Sequence, residues 1–160
     1  METENFSEGN QSNYKLDTLD KKILNLLQKN AKLNSKELAS EIGLTLTPTY
    51  ERVKRLESKG FIKSYTIKIN KEKIGKNLKV LCNISLKSHS VEFLNAFESS
   101  VVKLKEISSC YHIAGNFDYL LLIEVKDMNE YSEFLKEKLA SIPHIATVQS
   151  SFVMKTMKEE

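Results

Sequence analysis

The chain has no tryptophan, only two cysteines, two prolines, five glycines and three histidines in 160 residues. Two cysteines, Cys82 and Cys110, are too few for a disulfide framework, which suits a reducing cytoplasm. His89, His112 and His144 are isolated. Cys110 and His112 stand one residue apart, but a zinc site needs about four ligands and no second pair accompanies them. There is no apolar run long enough to span a bilayer, no signal-peptide pattern and no evident repeat, so the expectation is a cytoplasmic protein with no membrane partner. No nucleophile–base set, phosphate-binding glycine loop or paired acid motif is present, which argues against an enzyme. No metal or cofactor is expected.

What is there is charge, unevenly spread. The net charge is +3. Residues 1–13 carry three glutamates and no base, residues 14–75 carry 14 Lys and Arg against 7 Asp and Glu, and residues 76–160 carry 10 against 11. The basic excess lies in the first half, where phosphate binding would place it, although lysines also cluster by chance.

That half reads as helices. Asp17 is placed to cap a first helix reaching Lys29, with Asp20 at the positive end of its dipole and Leu19, Ile23, Leu26 and Leu27 facing inward. Asn34, with Glu37 three residues on, opens a second helix that Gly43 ends. Gly43-Leu44-Thr45 turns into a third helix, with Thr45 or Thr47 as its cap, Pro48 in its first turn and Gly60 after its end. Thr49, Val53 and Leu56 make its narrow buried stripe. This is the helix-turn-helix pattern, and the third helix is the one that enters a DNA groove. Thr47, Tyr50, Arg52, Lys54 and Arg55 are the expected DNA contacts: cations for phosphate, polar groups for bases. The competing explanation is an ordinary solvated face, and Arg52 is the member suited to bridge to a carboxylate inside the domain.

After Gly60 the period changes. Residues 61–69 alternate, with Tyr65, Ile67 and Ile69 on one face, and read as a strand that must find a partner, such as its copy in a second subunit. From Leu78 the order is strand, helix, strand, strand, helix, strand: a βαββαβ, ferredoxin-like arrangement. The fold class is therefore α+β. The expected division is a disordered tail over 1–14, a winged-type helix-turn-helix domain over 15–62, a linking strand and hinge over 63–77, and a ferredoxin-like domain over 78–157.

The pieces Leu16-Asp17 with Asp20, Leu38-Ala39, Gly43-Leu44, Thr47-Pro48, Arg52-Val53, Arg55-Leu56-Glu57 and Gly60-Phe61-Ile62 with Tyr65 resemble the N-terminal half of the Lrp/AsnC, or feast/famine, regulators. Gly115, Asp118 and Tyr119 match the Gly-x-x-Asp-Tyr signature of that family's sensing domain. The resemblance spans roughly residues 15–157. It implies a transcription regulator that binds double-stranded DNA as a homodimer, assembles further, commonly to an octamer, and takes an amino-acid effector between sensing domains. By the same resemblance Gly115, Asn116, Asp118 and Tyr119 form or shape the effector pocket. Asp118 suits an ammonium; a hairpin turn in which the aspartate bonds its own backbone explains the same residues. Gln149, Ser150 and Ser151, polar on the last strand, are further effector contacts or else face solvent or a partner. Departures from the family pattern are Thr45 for a serine, Leu46 after it, and His144 for a glycine.

Two other functions fit parts of the chain: a ligand-independent, low-specificity DNA-organising protein, and a ferredoxin-like amino-acid sensor or enzyme-regulating module. The first predicts DNA binding without sequence preference. The second leaves the basic half unexplained.

Overall fold

The computed structural model describes residues 14–158, so the acidic segment 1–13 lies outside the described residues. The chain divides between Lys68 and Ile69 into two compact units. That boundary falls inside the expected linking segment 63–77.

The first unit contains α1 (Thr18–Lys29), α2 (Ser35–Ile42) and α3 (Leu46–Ser58). The first two start with reciprocal caps, which satisfy backbone N–H groups that a helix start leaves orphaned. Asp17 accepts from the Asp20 N–H at 2.8 Å while the Asp20 carboxylate accepts from the Asp17 N–H at 3.2 Å. Asn34 accepts from the Lys36 and Glu37 N–H groups at 3.0 Å, and Glu37 accepts from the Asn34 N–H at 2.8 Å. Gly43, at φ +76°, ends α2 in the left-handed region that favours glycine.

The start of α3 differs from expectation. Thr45 occupies the cap position, but its side chain makes no cap hydrogen bond, and Thr47 lies inside the first turn. The Thr45 carbonyl is used instead: the Thr49 hydroxyl, fully buried, donates to it at 2.9 Å. At the other end Gly60, at φ +74°, closes α3. The Gly60 N–H reaches the Glu57 carbonyl and the Phe61 N–H reaches that of Leu56, both at 2.9 Å, a Schellman closure. Ile23, Leu27, Leu38, Ile42 and Leu56 form the core, with Leu16, Leu19, Val53 and Ile62 packed around it.

Tyr14, placed by sequence in the tail, belongs to this body: its hydroxyl donates to Asp20 and its ring meets Phe61 edge-on. The expected strand over 61–69 does not form. Residues 63–70 enter no ladder among the described residues, and Tyr65, Ile67 and Ile69 are exposed. Alternation signals a segment able to pair, but a strand also needs a neighbour's backbone.

The second unit contains β1 (Leu78–Leu86), α4 (Val91–Val101), β2 (Ile107–His112), β3 (Tyr119–Val125), α5 (Met128–Glu133, continuing with π geometry over Phe134–Leu139) and β4 (Ile145–Phe152). Its four strands are antiparallel in the order β2-β3-β1-β4. Alternation sorts their residues onto two faces. Val80, Cys82, Ile84, Leu121 and Ile123 lie in one core with Phe97 and Val101 of α4 and Tyr131, Phe134 and Leu139 of the α5 segment. The opposite face carries Leu81, Leu120 and Leu122 uncovered or half-covered. Among the described residues no helix is long and apolar enough to cross a membrane.

Candidate functional site

Along α3, Thr47, Tyr50 and Lys54 fall within about 60° of one another at 100° per residue, and all three are exposed. The Lys54 ammonium sits 5.3 Å from the centre of the Tyr50 ring, and hydrogen bonding to Tyr50 raises its pKa. This face offers a hydroxyl, a phenol and a cation side by side.

Arg52 points elsewhere. Its Nη1 donates to Asp17 Oδ2 and to Asp20 Oδ1, both at 2.6 Å. It is about 140° from Thr47 on the helical wheel, so the bridge to a carboxylate is the use the structure shows. Hydrogen bonds to Asp17, then Asp20, raise the pKa of Arg52. Burial works to raise the Asp20 carboxyl, but hydrogen bonds from Tyr14, Arg52 and the Asp17 N–H outweigh it and hold it below the usual carboxylate range. The Asp20 N–H and then Arg52 lower Asp17 in the same sense. Arg55 lies on the flank, its guanidinium 4.7 Å from the centre of the Tyr14 ring. Of the five expected contacts, then, three share the open face, one is internal and one is at the edge.

In the second unit Gly115 and Asn116 are exposed in the turn before β3, and Gly115 has φ +145°, a conformation side chains disfavour. Asp118 is engaged within the chain. Its Oδ2 accepts from the Leu86 N–H at 2.7 Å and its Oδ1 lies 2.8 Å from His89 Nε2. The aspartate thus binds backbone, as a turn residue does, but that of β1 rather than its own. Tyr119 is buried, and its hydroxyl donates to Glu98 at 2.7 Å. Burial, then the Glu98 bond, pushes that phenol up.

The polar residues of β4 split between the faces. Ser150 pairs with Cys82 and its hydroxyl lies 2.5 Å from that of Tyr131, on the helix-covered side. Gln149 and Ser151 pair with Asn83 and Leu81 and face the open side. β1 separates β4 from β3, so they are about 10 Å from the Tyr119 strand. Within one chain the seven expected effector residues do not converge. Sequence reasoning missed Tyr14, His89 and Glu98. Tyr14 sits only two residues before Leu16-Asp17, a signal available but weak.

Residues 16–63 match the model of a winged helix-turn-helix DNA-binding domain, and residues 79–160 match that of the Lrp/AsnC ligand binding domain. The leucine-responsive regulatory protein of Klebsiella pneumoniae is 39% identical over 144 residues, covering 90% of this chain and 88% of that protein. The Bkd operon transcriptional regulator of Pseudomonas aeruginosa is 35% identical over 142 residues, 89% of this chain and 93% of that protein. Among solved structures, a transcriptional regulator from Neisseria meningitidis in complex with L-Met superposes with a TM-score of 0.87 at 34% identity, covering 91% of this chain and 94% of that one. Both halves match in the same order as the folded units, and the chain belongs to the Lrp/AsnC family of transcription regulators.

Proposed function

We propose that the chain binds double-stranded DNA sequence-specifically, presenting Thr47, Tyr50 and Lys54 of α3 to the major groove. The observation that carries this is the exposed alignment of those three side chains on a helix that Arg52 locks to α1. Binding as a homodimer would set two such helices on successive half-sites. Two surfaces support association: the open sheet face around Leu81, Leu120 and Leu122, and the extended, ladder-free residues 63–70. Octamers built from such dimers follow the family pattern, and a cytoplasmic, nucleoid-associated location follows from DNA as partner.

An amino acid is the proposed effector, as L-Met is bound in the Neisseria meningitidis structure. Since one chain leaves the seven residues dispersed, a pocket at Gly115 and Asn116 is completed by a neighbouring subunit, with Asp118 and Tyr119 shaping it from behind. The effector acts by binding two assembly states with different affinity.

The test is DNA affinity across a salt titration, on duplexes selected from a random library and on unselected duplexes. Tighter binding to the selected set, lost with Tyr50→Ala, supports the reading. Steep salt dependence with no preference supports the organising protein instead, and absence of binding supports the sensor module. A thermal-shift screen of the twenty amino acids, with mass by light scattering on each hit, tests the effector.

A further inference from the structure

Arg52 and Arg55 are three residues apart on α3, yet their surroundings differ. Arg52 has both of its aspartates at hydrogen-bond distance. Arg55 has Asp20 Oδ1 only at 3.7 Å, beyond a true hydrogen bond. That oxygen is already taken by Arg52, and Oδ2 by Tyr14 and the Asp17 N–H. Arg55 Nε is buried without a hydrogen-bond partner among the described residues. Besides that longer ion pair, the guanidinium lies over the Tyr14 ring, 4.7 Å from its centre. The ring is itself fixed at two points, by its hydroxyl on Asp20 and by the Phe61 ring, whose centre is 5.9 Å away.

The Arg55 guanidinium lies over the Tyr14 ring and its side chain is 41% exposed, so donors other than the buried Nε remain available to a ligand. Guanidinium forks match the paired oxygens of a phosphodiester. The position is also at the flank of the groove-facing side, next to the start of α1, where backbone contacts fix register rather than read sequence. We propose that Arg55 is a clamp for a DNA backbone phosphate and that Tyr14 is the positioning residue that orients it. This rests on the DNA-binding reading above, and it assigns Arg55 to phosphate rather than bases.

The experiment uses the full chain with Arg55→Ala, Arg55→Lys, Tyr14→Ala, Tyr14→Phe and the double alanine variant. Affinity for selected and unselected duplexes is measured across salt. One phosphate contact carries about 0.9 of the slope of log K against log salt. Arg55→Ala is expected to remove about that much slope and to weaken both duplexes by the same factor. Arg55→Lys, which keeps charge without the planar fork, falls between. Tyr14→Ala follows Arg55→Ala in direction, the double variant is no worse than Arg55→Ala alone, and Tyr14→Phe, which keeps the ring, loses less than Tyr14→Ala.

A wild-type slope in Tyr14→Ala beside a lowered melting temperature would make Tyr14 structural and overturn the assignment. So would a change in the selected-to-unselected ratio in Arg55→Ala, which marks a base contact, or losses that multiply in the double variant. Should Tyr14→Ala fail to fold, Tyr14→Phe and the two Arg55 variants still decide. If the unmodified chain binds no DNA, the clamp falls with the DNA-binding reading. If affinity and salt slope are unchanged in Arg55→Ala but drop with Lys54→Ala, the clamp alone falls.

Discussion

Arg52 on α3 donates to Asp20 on α1 at 2.6 Å, across 32 positions of sequence. The aspartate is fully buried, and with Tyr14 and the Asp17 N–H the arginine makes its charge tolerable there, as the one cation at hydrogen-bond distance among the described residues. Removing one partner of a buried pair costs about 3–5 kcal/mol, because the other charge is left uncompensated. Arg52→Ala is therefore expected to unfold much of the first unit while the sensing unit stays folded. Amide exchange checks this: protection should be lost in α1 and α3 and kept in β1 and β3. A fully protected α3 with weakened DNA binding would return Arg52 to the contact set.

The same pair sets an acid limit. Asp17 and Asp20 both have folded-state pKa values below the ordinary carboxylate range. A lowered folded pKa stabilises above the unfolded value, about 3.9 for aspartate, and that stabilisation is lost as pH falls through the folded value. The first unit should thus keep its aspartate contribution down to about pH 4 and lose it progressively below. Unfolding followed at pH 2 to 6 checks it, and Asp20→Asn should flatten the dependence.

Asp118 ties the turn before β3 to the end of β1 through the Leu86 N–H. Asp118→Ala leaves that part-buried donor without its acceptor, at a cost of about 1–3 kcal/mol. Denaturant unfolding of the sensing unit should show the loss. Any amino acid that raises the melting temperature of the unmodified chain should raise that of Asp118→Ala less. An undiminished shift would remove this turn from the effector pocket.

His144 has φ +71° and stacks on Phe93, ring centres 3.5 Å apart and planes within 10°. Left-handed backbone costs a non-glycine residue about 1–2 kcal/mol, and an aromatic pair returns about 0.5–1.5 kcal/mol. His144→Ala keeps the strain and discards the stacking, while His144→Gly discards both. The alanine variant should therefore be less stable than the glycine variant by about 1 kcal/mol, read as the difference in unfolding free energy. Equal stabilities would mean the backbone relaxes once the ring is gone.

Much of this architecture was legible in the sequence because its signals are local. Asp17, Asn34, Gly43 and Gly60 each mark a helix boundary through their own hydrogen bonds or their own φ. Period-2 alternation in Leu78–Leu86 likewise told its faces apart. Residues 61–69 misled because the same pattern says nothing about whether a partner is present. The site residues were harder still. Helical spacing sets Arg52 apart from Lys54 and suits it to an internal carboxylate, but which carboxylates it meets, Asp17 and Asp20 on α1, depends on packing between positions far apart in sequence. Asp118 suits either an ammonium or a turn by its chemistry alone, and the sequence does not tell that Leu86 and His89 reach it from beyond its own turn.

The two helices that brace α3 begin with reciprocal side-chain caps, and α3 begins with none. An uncapped first turn frays most readily, since its N–H groups have only water to answer them. Fraying of α3 is thus expected to start at Leu46 and Thr47, ahead of the buried Thr49 and the anchored Arg52, so the helix is stiff where it is seated and pliable at its leading end. A tip of that kind adjusts by a turn's worth of backbone to whatever surface it enters, and the scaffold behind it need not move.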